Sequence, residues 1–263
     1  MSSSVTSFSD GAAYEQYMGV WSRLVGDEFL DWLATAPGLR WVDIGCGNGA
    51  FTELLMQRCK PTSIHAIDPS EGQLNFARTR PGAKGAAFEI GDAMALPYPD
   101  QSFDAAVMAL VLFFVPDAAR GVAEMKRVVR PGGLIAAYVW DWLDGGLPVA
   151  PMDALMREMG YPPAMPPSVS ISRMSNLISA WTTAGLTAIE SRPITVQRKF
   201  TDFDNFWNGA ALSNRTRIIL QAMGPAKMEA LKQTLRETLP TGPDGRLTMT
   251  ARANAISGRA PAK

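Results

Sequence analysis

Apolar and polar residues along the chain follow a pattern that predicts strands and helices in alternation. Short apolar runs predict buried strands, and apolar residues three or four positions apart predict the helices that cover them. Arg130-Pro131-Gly132-Gly133 is expected to end the last of these helices, because proline and glycine interrupt helical structure. The predicted strands are at about 40–44, 63–67, 87–90, 103–109 and 134–140, with helices at about 50–58, 71–79 and 117–129.

The segments on either side of this core follow other patterns. Residues 14–33 carry apolar side chains at helical spacing and predict two helices, whereas residues 142–180 are rich in proline and methionine. Strands near 186–196 and 247–256, joined by a helical segment at about 202–239, are expected to pair in antiparallel fashion. The sequence therefore predicts an α/β fold with a doubly wound, seven-stranded, mostly parallel sheet, an antiparallel edge strand and a helical lid.

Composition and charge narrow the possible partners. The 263 residues are 47% hydrophobic and 19% charged, which is ordinary for a protein with a sizeable core. Lys and Arg number 25, as do Asp and Glu, and no basic run exceeds two residues. Proteins that bind a phosphate backbone usually carry a basic excess, so a nucleic-acid partner is not expected.

Neither a secreted nor a membrane protein is indicated. Cys46 and Cys59 are too few for a disulfide framework, and residues 1–7 lack the basic and apolar regions of a secretion signal. The longest apolar run, residues 105–115, is too short to span a membrane. We therefore expect a cytoplasmic protein with no membrane span and no metal site.

A glycine turn follows the first predicted strand. Gly45, Gly47 and Gly49 stand at alternate positions between that strand and the next helix. Glycine permits a positive φ and lets a ligand approach the backbone closely. A strand, a glycine turn and a helix together deliver a nucleotide to a helix N-terminus, although the same pattern also makes a tight turn that binds nothing.

Acidic residues follow the next two strands, and ligands of such sheets bind at the carboxyl ends of the strands. Asp68, after the second strand, can accept hydrogen bonds from both hydroxyls of a ribose. Asp92, after the third, can accept from an adenine amino group while Met94 packs against the ring. Each aspartate could also be an ordinary turn residue.

Taken in order, these motifs resemble the class I S-adenosylmethionine-dependent methyltransferases. The most similar subgroup comprises small-molecule enzymes like the ubiquinone and menaquinone C-methyltransferases. The matching segments lie within residues 40–140 and are Val42–Gly49, Asp68, Gly91–Ala93, Leu96–Asp104 and Arg127–Gly133.

The resemblance implies S-adenosylmethionine as cofactor and S-adenosylhomocysteine as product. It places the turn beside the methionyl part of the cofactor, with Asp43 orienting that turn and Cys46 a small turn residue rather than a nucleophile. The remaining expected cofactor contacts are Asp68 and Pro69 at the ribose, Asp92, Ala93 and Met94 at the adenine, Ala109 and Leu110 near the sulfonium, and Tyr17 at the carboxylate.

The resemblance also implies one domain in four parts. Residues 1–36 form helices over the cofactor, and residues 37–141 form a Rossmann-like core that binds it. Residues 142–180 form an insertion or lid, and residues 181–263 complete the sheet and add helices over the substrate.

Methyl transfer from a sulfonium is an in-line displacement, in which the protein mainly aligns the reactants and excludes water. Asp141 follows the fifth strand and is the candidate for a general base, or else a loop carboxylate. The methionine-rich lid and the lack of a basic patch predict a small, mainly apolar acceptor. The oligomeric state is expected to be a monomer or a homodimer.

Two other functions fit part of the pattern. Gly45–Ala50 also matches the G-x-G-x-x-A motif of NAD(P)-dependent oxidoreductases. Three features argue against that function: Asp43 two positions before Gly45, the second acidic residue Asp92 and the lack of a suitably placed histidine. A sensor or interaction protein that binds the cofactor without transferring a methyl group is the other alternative, although no cofactor motif is broken.

Overall fold

The chain forms one seven-stranded sheet covered by helices. A computed structural model describes residues 18–211 and 213–262. In chain order the strands are β1 Arg40–Ile44, β2 Ser63–Asp68, β3 Ala87–Ile90, β4 Phe103–Ala109, β5 Val129–Trp140, β6 Thr187–Phe200 and β7 Leu247–Arg259. Their order across the sheet is β3-β2-β1-β4-β5-β7-β6. The predicted α/β fold with a seven-stranded, mostly parallel sheet is confirmed.

Strand direction divides the sheet into two parts. β1 to β5 are parallel to their neighbours, whereas β7 runs antiparallel to both β5 and β6. The antiparallel strand is therefore inside the sheet, and β6 is the edge strand. From β1 the sheet continues to β2 and β3 on one side, and from β4 it continues to β5 on the other. The strand order therefore reverses between the neighbours β1 and β4, and a crevice is expected at their carboxyl ends.

Helices cover the sheet and several begin with a side-chain cap. Ser70 Oγ accepts from Gln73 N at 3.4 Å, and Asp117 Oδ1 accepts from Arg120 N at 3.0 Å. Such caps satisfy backbone donors that the first helical turn leaves free. The helices are α1 Val20–Leu33, α2 Ala50–Cys59, α3 Glu71–Ala77, α4 Ala118–Val128, α5 Ala150–Glu158, α6 Met174–Thr183, α7 Phe203–Ala211 and α8 Asn214–Thr238.

The helix and strand bounds differ from the predictions in several places, of which three matter most here. The described part of residues 14–33 contains one continuous helix, α1, rather than two, and residues 14–17 lie outside the described part. β5 begins at Val129, which pairs with Phe103, and the glycines before Leu134 form an irregular stretch within the strand instead of preceding it. α8 is interrupted at Gly224 (φ 73°, ψ 168°), where the following Pro225 cannot continue the helical hydrogen bonds.

The core is apolar on both faces of the central strands. Residues 105–108 of β4 are fully buried, as expected for a parallel strand with helices on both sides. Phe29 of α1 and Phe51 of α2 pack against Tyr138 of β5, with ring centroids 4.7 Å and 5.7 Å away. These contacts fix α1 and α2 against the middle of the sheet. No helix among residues 18–211 and 213–262 has the length and apolar character needed to cross a membrane.

Ion pairs join three strands at the amino end of the sheet. Asp104 at the start of β4 accepts from Arg40 N at 2.9 Å and Arg40 Nε at 3.0 Å. Arg130 Nε donates to the same carboxylate at 2.6 Å. The hydrogen bond from the Arg40 guanidinium is the main reason that the pKa of Asp104 lies well below its usual range. These contacts hold the amino ends of β1, β4 and β5 together.

Candidate active site

The turn after β1 is attached to β2 and packs against the segment after β4. Gly45 N and Cys46 N both donate to Ile67 O, at 2.7 Å and 3.0 Å. Gly45 has φ +73°, and a Cβ there would lie 2.4 Å from Val111 Cγ1. Glycine is thus required both by the backbone conformation and by the close approach of Val111.

Gly47 leaves an open face on the same turn. Its φ is +52°, and a Cβ at this position would meet no atom within 4 Å. Its N–H donates a hydrogen bond to Asp68 Oδ2 at 2.9 Å. The turn therefore presents bare backbone to open space directly beside a carboxylate, which is the shape that a closely approaching ligand needs.

The Asp68 carboxylate is held by backbone donors and keeps acceptor capacity. Oδ2 accepts from Gly47 N, and Oδ1 accepts from Ser70 N at 2.9 Å. A carboxylate has about four acceptor positions, so about two remain for other donors. Burial raises the pKa of Asp68, and no described residue forms an ion pair with it. The group is oriented and half-buried but not neutralised, as a carboxylate that binds hydroxyl groups should be.

Asp43 is a buried carboxylate near the end of β1, bonded to the helix that follows the turn. Its side chain is only 1% exposed, and Oδ2 accepts from Thr52 Oγ1 at 2.6 Å. Burial is the main cause that raises the pKa of Asp43 to about 7, and the negative charge of Asp68 adds to it. The sequence analysis missed Thr52, although a hydroxyl residue in the first turn of the helix after the glycines is a feature that could have identified it.

Cys46 is a buried thiol within the turn. Burial, followed by the negative charges of Asp43 and Asp68, raises the pKa of its thiol well above the usual value. A nucleophilic cysteine needs the opposite shift, because the thiolate is the reactive form. This environment agrees with the interpretation of Cys46 as a small turn residue.

The loop after β3 forms a compact turn at the same edge of the sheet. Asp92 Oδ1 accepts from Met94 N at 2.8 Å, and Ala95 N donates to Asp92 O at 3.0 Å. Asp92 is exposed, whereas Ala93 and Met94 are half-buried. Asp92 thus stabilises a turn, and its carboxylate is accessible, so its contact with adenine stays a prediction.

Leu110, after β4, adopts an unusual conformation next to the glycine turn. Its φ is +62°, its side chain is 7% exposed, and its N–H donates to Tyr138 O at 2.8 Å. A left-handed conformation costs a non-glycine residue about 1–2 kcal/mol. Strained residues of this kind are often found at functional sites. Ala109, directly before it, is half-buried.

Three further predicted residues differ in how the structure places them. Pro69 is exposed beside Asp68, and Tyr17 lies outside the described residues. Asp141 is buried, and its Oδ2 accepts from Arg252 Nη2 at 2.6 Å and Nε at 2.7 Å. Its Oδ1 is also buried and has no hydrogen-bond partner in the described part of the chain. The role of Asp141 as a base therefore stays a prediction.

Aromatic side chains follow β4 and β5 at the same edge. Phe113 and Phe114 lie in the turn after β4, and their ring centroids are 5.3 Å and 6.4 Å from that of Trp142, which follows β5. The Arg215 guanidinium lies 5.1 Å from the centroid of the Trp142 ring. Arg215 also forms an ion pair with Asp153. The sequence analysis missed this pair, because its two members are far apart in the chain.

No three His, Cys, Asp or Glu side chains within residues 18–211 and 213–262 are close enough together to hold a metal ion. The candidate site consists of the glycine turn and two sets of side chains at one edge of the sheet. These are the aspartates Asp43, Asp68 and Asp92 and the aromatic residues Phe113, Phe114 and Trp142.

Comparison with known proteins identifies this part of the chain. Residues 42–137 match a family model described as a methyltransferase domain. This part of the chain is therefore similar to methyltransferase domains. The matched residues include the end of β1, the glycine turn, Asp68 and Asp92, so the resemblance inferred from the ordered motifs is confirmed over this part of the chain.

Curated relatives are similar over about half of the chain. A malonyl-[acyl-carrier protein] O-methyltransferase of Methylococcus capsulatus is 38% identical over 133 residues, which are 49% of this chain and 48% of that protein. A demethylmenaquinone methyltransferase of Deinococcus radiodurans is 40% identical over 115 residues, 43% of this chain and 46% of that protein. The chain thus spans about half the length of these relatives.

Solved structures share the fold over nearly the whole chain. A Bacillus halodurans protein described as a methyltransferase aligns with a TM-score of 0.58 at 16% identity, over 90% of this chain and 98% of that one. The [4+2]-cyclase SpnF aligns with a TM-score of 0.57 at 19% identity, over 96% of this chain and 85% of that one. The methyltransferase fold therefore also occurs in a protein named for a different reaction.

Proposed function

We propose that the protein transfers a methyl group from S-adenosylmethionine to a small, mainly apolar molecule by in-line displacement, with S-adenosylhomocysteine as product. The observation that carries this proposal is the open backbone of Gly47 beside the Asp68 carboxylate. The similarity of residues 42–137 to methyltransferase domains supports it. When bound, the cofactor supplies an activated methyl group on a sulfonium, so the task of the protein is alignment and exclusion of water.

The residues at the edge of the sheet fit the parts of this cofactor. Gly45 and Gly47 offer backbone to the methionyl part, and Asp43 supports their turn. Asp68 accepts from the ribose hydroxyls through the acceptor positions that Gly47 and Ser70 leave available. The remaining proposed contacts are Asp92, Ala93 and Met94 at the adenine, and Ala109 and Leu110 near the sulfonium.

The surroundings of the site support an apolar acceptor. Phe113, Phe114 and Trp142 lie next to the segment that packs on Gly45. Met152 and Met156 of the insertion are fully buried, so they pack in the core and do not themselves line an open pocket. The half-buried Phe114 and Trp142, rather than Met152 and Met156, are thus the proposed contact surface for the acceptor.

Asp141 is the proposed general base if the acceptor must lose a proton. Its uncommitted Oδ1 supports this role, whereas its pairing with Arg252 supports a structural one. An Asp141→Asn variant distinguishes them. A base predicts a large fall in kcat, whereas the affinity for S-adenosylhomocysteine and the melting temperature stay unchanged. A structural role predicts a lower melting temperature and a fall in kcat no larger than the loss of folded protein explains.

Calorimetry followed by an acceptor screen tests the proposed function. We expect S-adenosylmethionine and S-adenosylhomocysteine to bind, NAD and NADP not to bind, and apolar aromatic acceptors to release S-adenosylhomocysteine during turnover. Binding of the cofactor without turnover of any acceptor would favour the sensor instead. Turnover of highly charged acceptors alone would contradict the proposed substrate class.

A further inference from the structure

A mostly buried ion pair connects the glycine turn to the segment that follows α3. Arg80 Nη1 lies 3.0 Å from Glu53 Oε2, and the two side chains are only 11% and 16% exposed. Arg80 Nε donates a hydrogen bond at 2.6 Å to the carbonyl oxygen of Asn48, which stands between Gly47 and Gly49. One guanidinium thus joins the turn, helix α2 and the segment after α3.

Both members of the pair are held in place by other groups. Glu53 Oε1 accepts from Gly82 N at 3.1 Å, and a Cβ at Gly82 would lie 2.3 Å from that oxygen, so the approach depends on glycine. The Arg80 guanidinium lies 5.5 Å from the centroid of the Phe76 ring of α3. The position of Arg80 Nε against the Asn48 carbonyl is therefore set from two directions.

The bond from Arg80 fixes one peptide group of the turn. The Asn48 carbonyl and the Gly49 N–H belong to the same planar group, whose N–H donates to Cys46 O at 2.9 Å. Gly47 precedes this group, and its open face offers no packing that could hold it. Because glycine is the least restricted residue, its conformation depends on the hydrogen bonds of its neighbours.

Stability alone is a weak reason for a buried ion pair. Removing two charges from water costs free energy, and an apolar pair of similar volume is often as stable or more stable. A guanidinium differs from an apolar side chain because it has several donors in a fixed plane. Those of Arg80 bind the Glu53 carboxylate and the Asn48 carbonyl together. The bond to the turn is thus the specific contribution of Arg80.

We infer that Arg80 is a positioning residue for the cofactor: its bond to the Asn48 carbonyl keeps the glycine turn in the conformation that accepts S-adenosylmethionine. Arg80 acts through the backbone of Gly47 and is not one of the proposed cofactor contacts. This inference rests on the proposed function, because it concerns the cofactor site of that reaction. The methionyl part of the cofactor, placed at the turn, should depend on Arg80 more than the adenosine part does.

A double variant removes the bond without leaving a buried charge unpaired. Arg80→Met keeps a long unbranched side chain but has no donor. Glu53→Gln removes the charge of the carboxylate, and its amide oxygen can still accept from Gly82 N. The reference protein is Glu53→Gln alone, which retains Arg80 and its bond to Asn48. The difference between the two proteins reports the contribution of that bond.

Arg78→Met is the matched control. Arg78 Nη1 donates to Glu71 Oε1 at 2.7 Å and Nη2 donates to Phe88 O at 3.0 Å, so this side chain also joins a carboxylate and a backbone carbonyl. Neither acceptor belongs to the glycine turn. Arg78→Met should therefore behave as the wild type in the two measurements that follow.

Hydrogen exchange of glycine amides tests the turn without any ligand. NMR of protein isotopically labelled at glycine reports the Gly47 and Gly49 N–H groups, both of which are hydrogen-bonded. We expect them to exchange at least about tenfold faster in the double variant than in Glu53→Gln. The Gly132 N–H, which donates to Ala260 O at 2.9 Å, should keep its rate. Equal rates at the turn in both proteins would overturn the inference.

Calorimetry with two ligands tests the consequence for the cofactor. S-Adenosylhomocysteine contains the amino acid part that the turn should contact, and adenosine lacks it. Relative to Glu53→Gln, the double variant should lose at least about tenfold in affinity for S-adenosylhomocysteine and less than about threefold for adenosine, because the turn is no longer preorganised. Unchanged affinities with a lower melting temperature, or equal losses for both ligands, would mean a purely structural role and overturn the inference.

The inference and the proposed function fail in different ways. If S-adenosylhomocysteine does not bind the wild type, the proposed function fails, and the exchange rates still decide whether Arg80 fixes the turn. If it binds the double variant and Glu53→Gln equally, only the positioning role fails. Should melting curves show that the double variant does not fold, Arg80→Lys takes its place. It keeps the charge opposite Glu53 but lacks the Nε donor, so the turn amides should again exchange faster, and unchanged rates would overturn the inference.

Discussion

The two ends of the sheet use aspartate in opposite ways. At the amino end, Asp104 lies between Arg40 and Arg130, and their hydrogen bonds lower its pKa. At the carboxyl end, Asp43 and Asp68 have no ion pair with a described residue, and burial raises the pKa of both. A buried carboxylate without a cation is unfavourable for folding. Asp141, at the same end, is paired with Arg252, so the contrast is specific to the two carboxylates beside the glycine turn.

Two glycines, one at each end of the sheet, allow a matched comparison. Gly47 at the carboxyl end and Gly132 near the start of β5 both have positive φ, at +52° and +73°. A Cβ at either position would meet nothing within 4 Å. The two residues therefore carry similar backbone strain when replaced, and they differ in whether they face the candidate site. Substitutions at the two ends can thus separate an effect on folding from an effect on binding.

The largest effect is expected from Gly47→Val. Its side chain would fill the open face of the turn, so the affinity for S-adenosylhomocysteine should fall at least about 100-fold. Gly132→Val is the control, because it imposes comparable strain of about 1–2 kcal/mol away from the site. Calorimetry and thermal melting of both variants check this. If Gly47→Val bound S-adenosylhomocysteine normally, the turn would not be the cofactor site.

The next largest effect is expected from Asp68→Ala. Loss of hydrogen bonds from the cofactor to a charged group should cost about 1–3 kcal/mol, which is about 5–150-fold in affinity. Asp104→Ala should leave the affinity unchanged and lower the melting temperature by about 2–4 °C, because it breaks partly exposed ion pairs. Equal affinity in both variants, with Asp68→Ala normally folded, would remove Asp68 from the site.

A pH-dependent difference in stability is expected for Asp43→Asn. Burial raises the pKa of Asp43 from 3.8 to about 7, so the folded protein retains a proton that the unfolded chain releases between these values. Without cofactor, the contribution of protonated Asp43 to the free energy of unfolding should therefore be fully present below pH 4 and be lost as the pH rises to 7. Asparagine does not titrate, so the variant should melt at least about 4 °C above the wild type at pH 8.

Melting curves between pH 4 and pH 8 check this expectation. The two proteins should melt at the same temperature at pH 4, because protonated aspartate and asparagine have similar shape and charge. A difference that stays constant over this range would mean that Asp43 does not titrate between the two values.

The smallest effect is expected from Asp92→Ala. Its carboxylate is exposed and partly engaged with Met94 N, so its loss should weaken S-adenosylhomocysteine binding about 2–10-fold. Adenosine, which lacks the amino acid part of the cofactor, should lose affinity by the same factor. A much larger loss for S-adenosylhomocysteine than for adenosine would place Asp92 away from the adenine.

Much of the parallel half of the fold could be predicted from the sequence. The bounds of β1, β3 and β4 agree with the prediction, because each is a short apolar run between residues that break regular structure. Asp43 and Asp68 could be placed near each other because parallel strands end at the same edge. The local pattern of apolar residues was sufficient to predict the strand bounds. The rule that parallel strands end at one edge was sufficient to predict that the two aspartates are near each other.

Contacts between distant segments could not be predicted. Arg252 pairs with Asp141 across 111 residues, and Asp153 meets Arg215 only after two helices pack together. The insertion of β7 between β5 and β6 depends on which long strands pair, and alternation of apolar residues does not specify a partner. Thr52 was missed for a simpler reason, because its hydroxyl has a role only once α2 is placed above Asp43.

The strand order has a consequence for how the chain folds during synthesis. β7 is made after β6, yet it lies between β5 and β6. Until it emerges, the nascent sheet ends at the bare hydrogen-bonding rim of β5, and β6 has nothing to pair with. An exposed strand edge of this kind can pair with strands of other nascent chains. Ribosome-bound intermediates that expose β5 are therefore the ones that chaperones must shield.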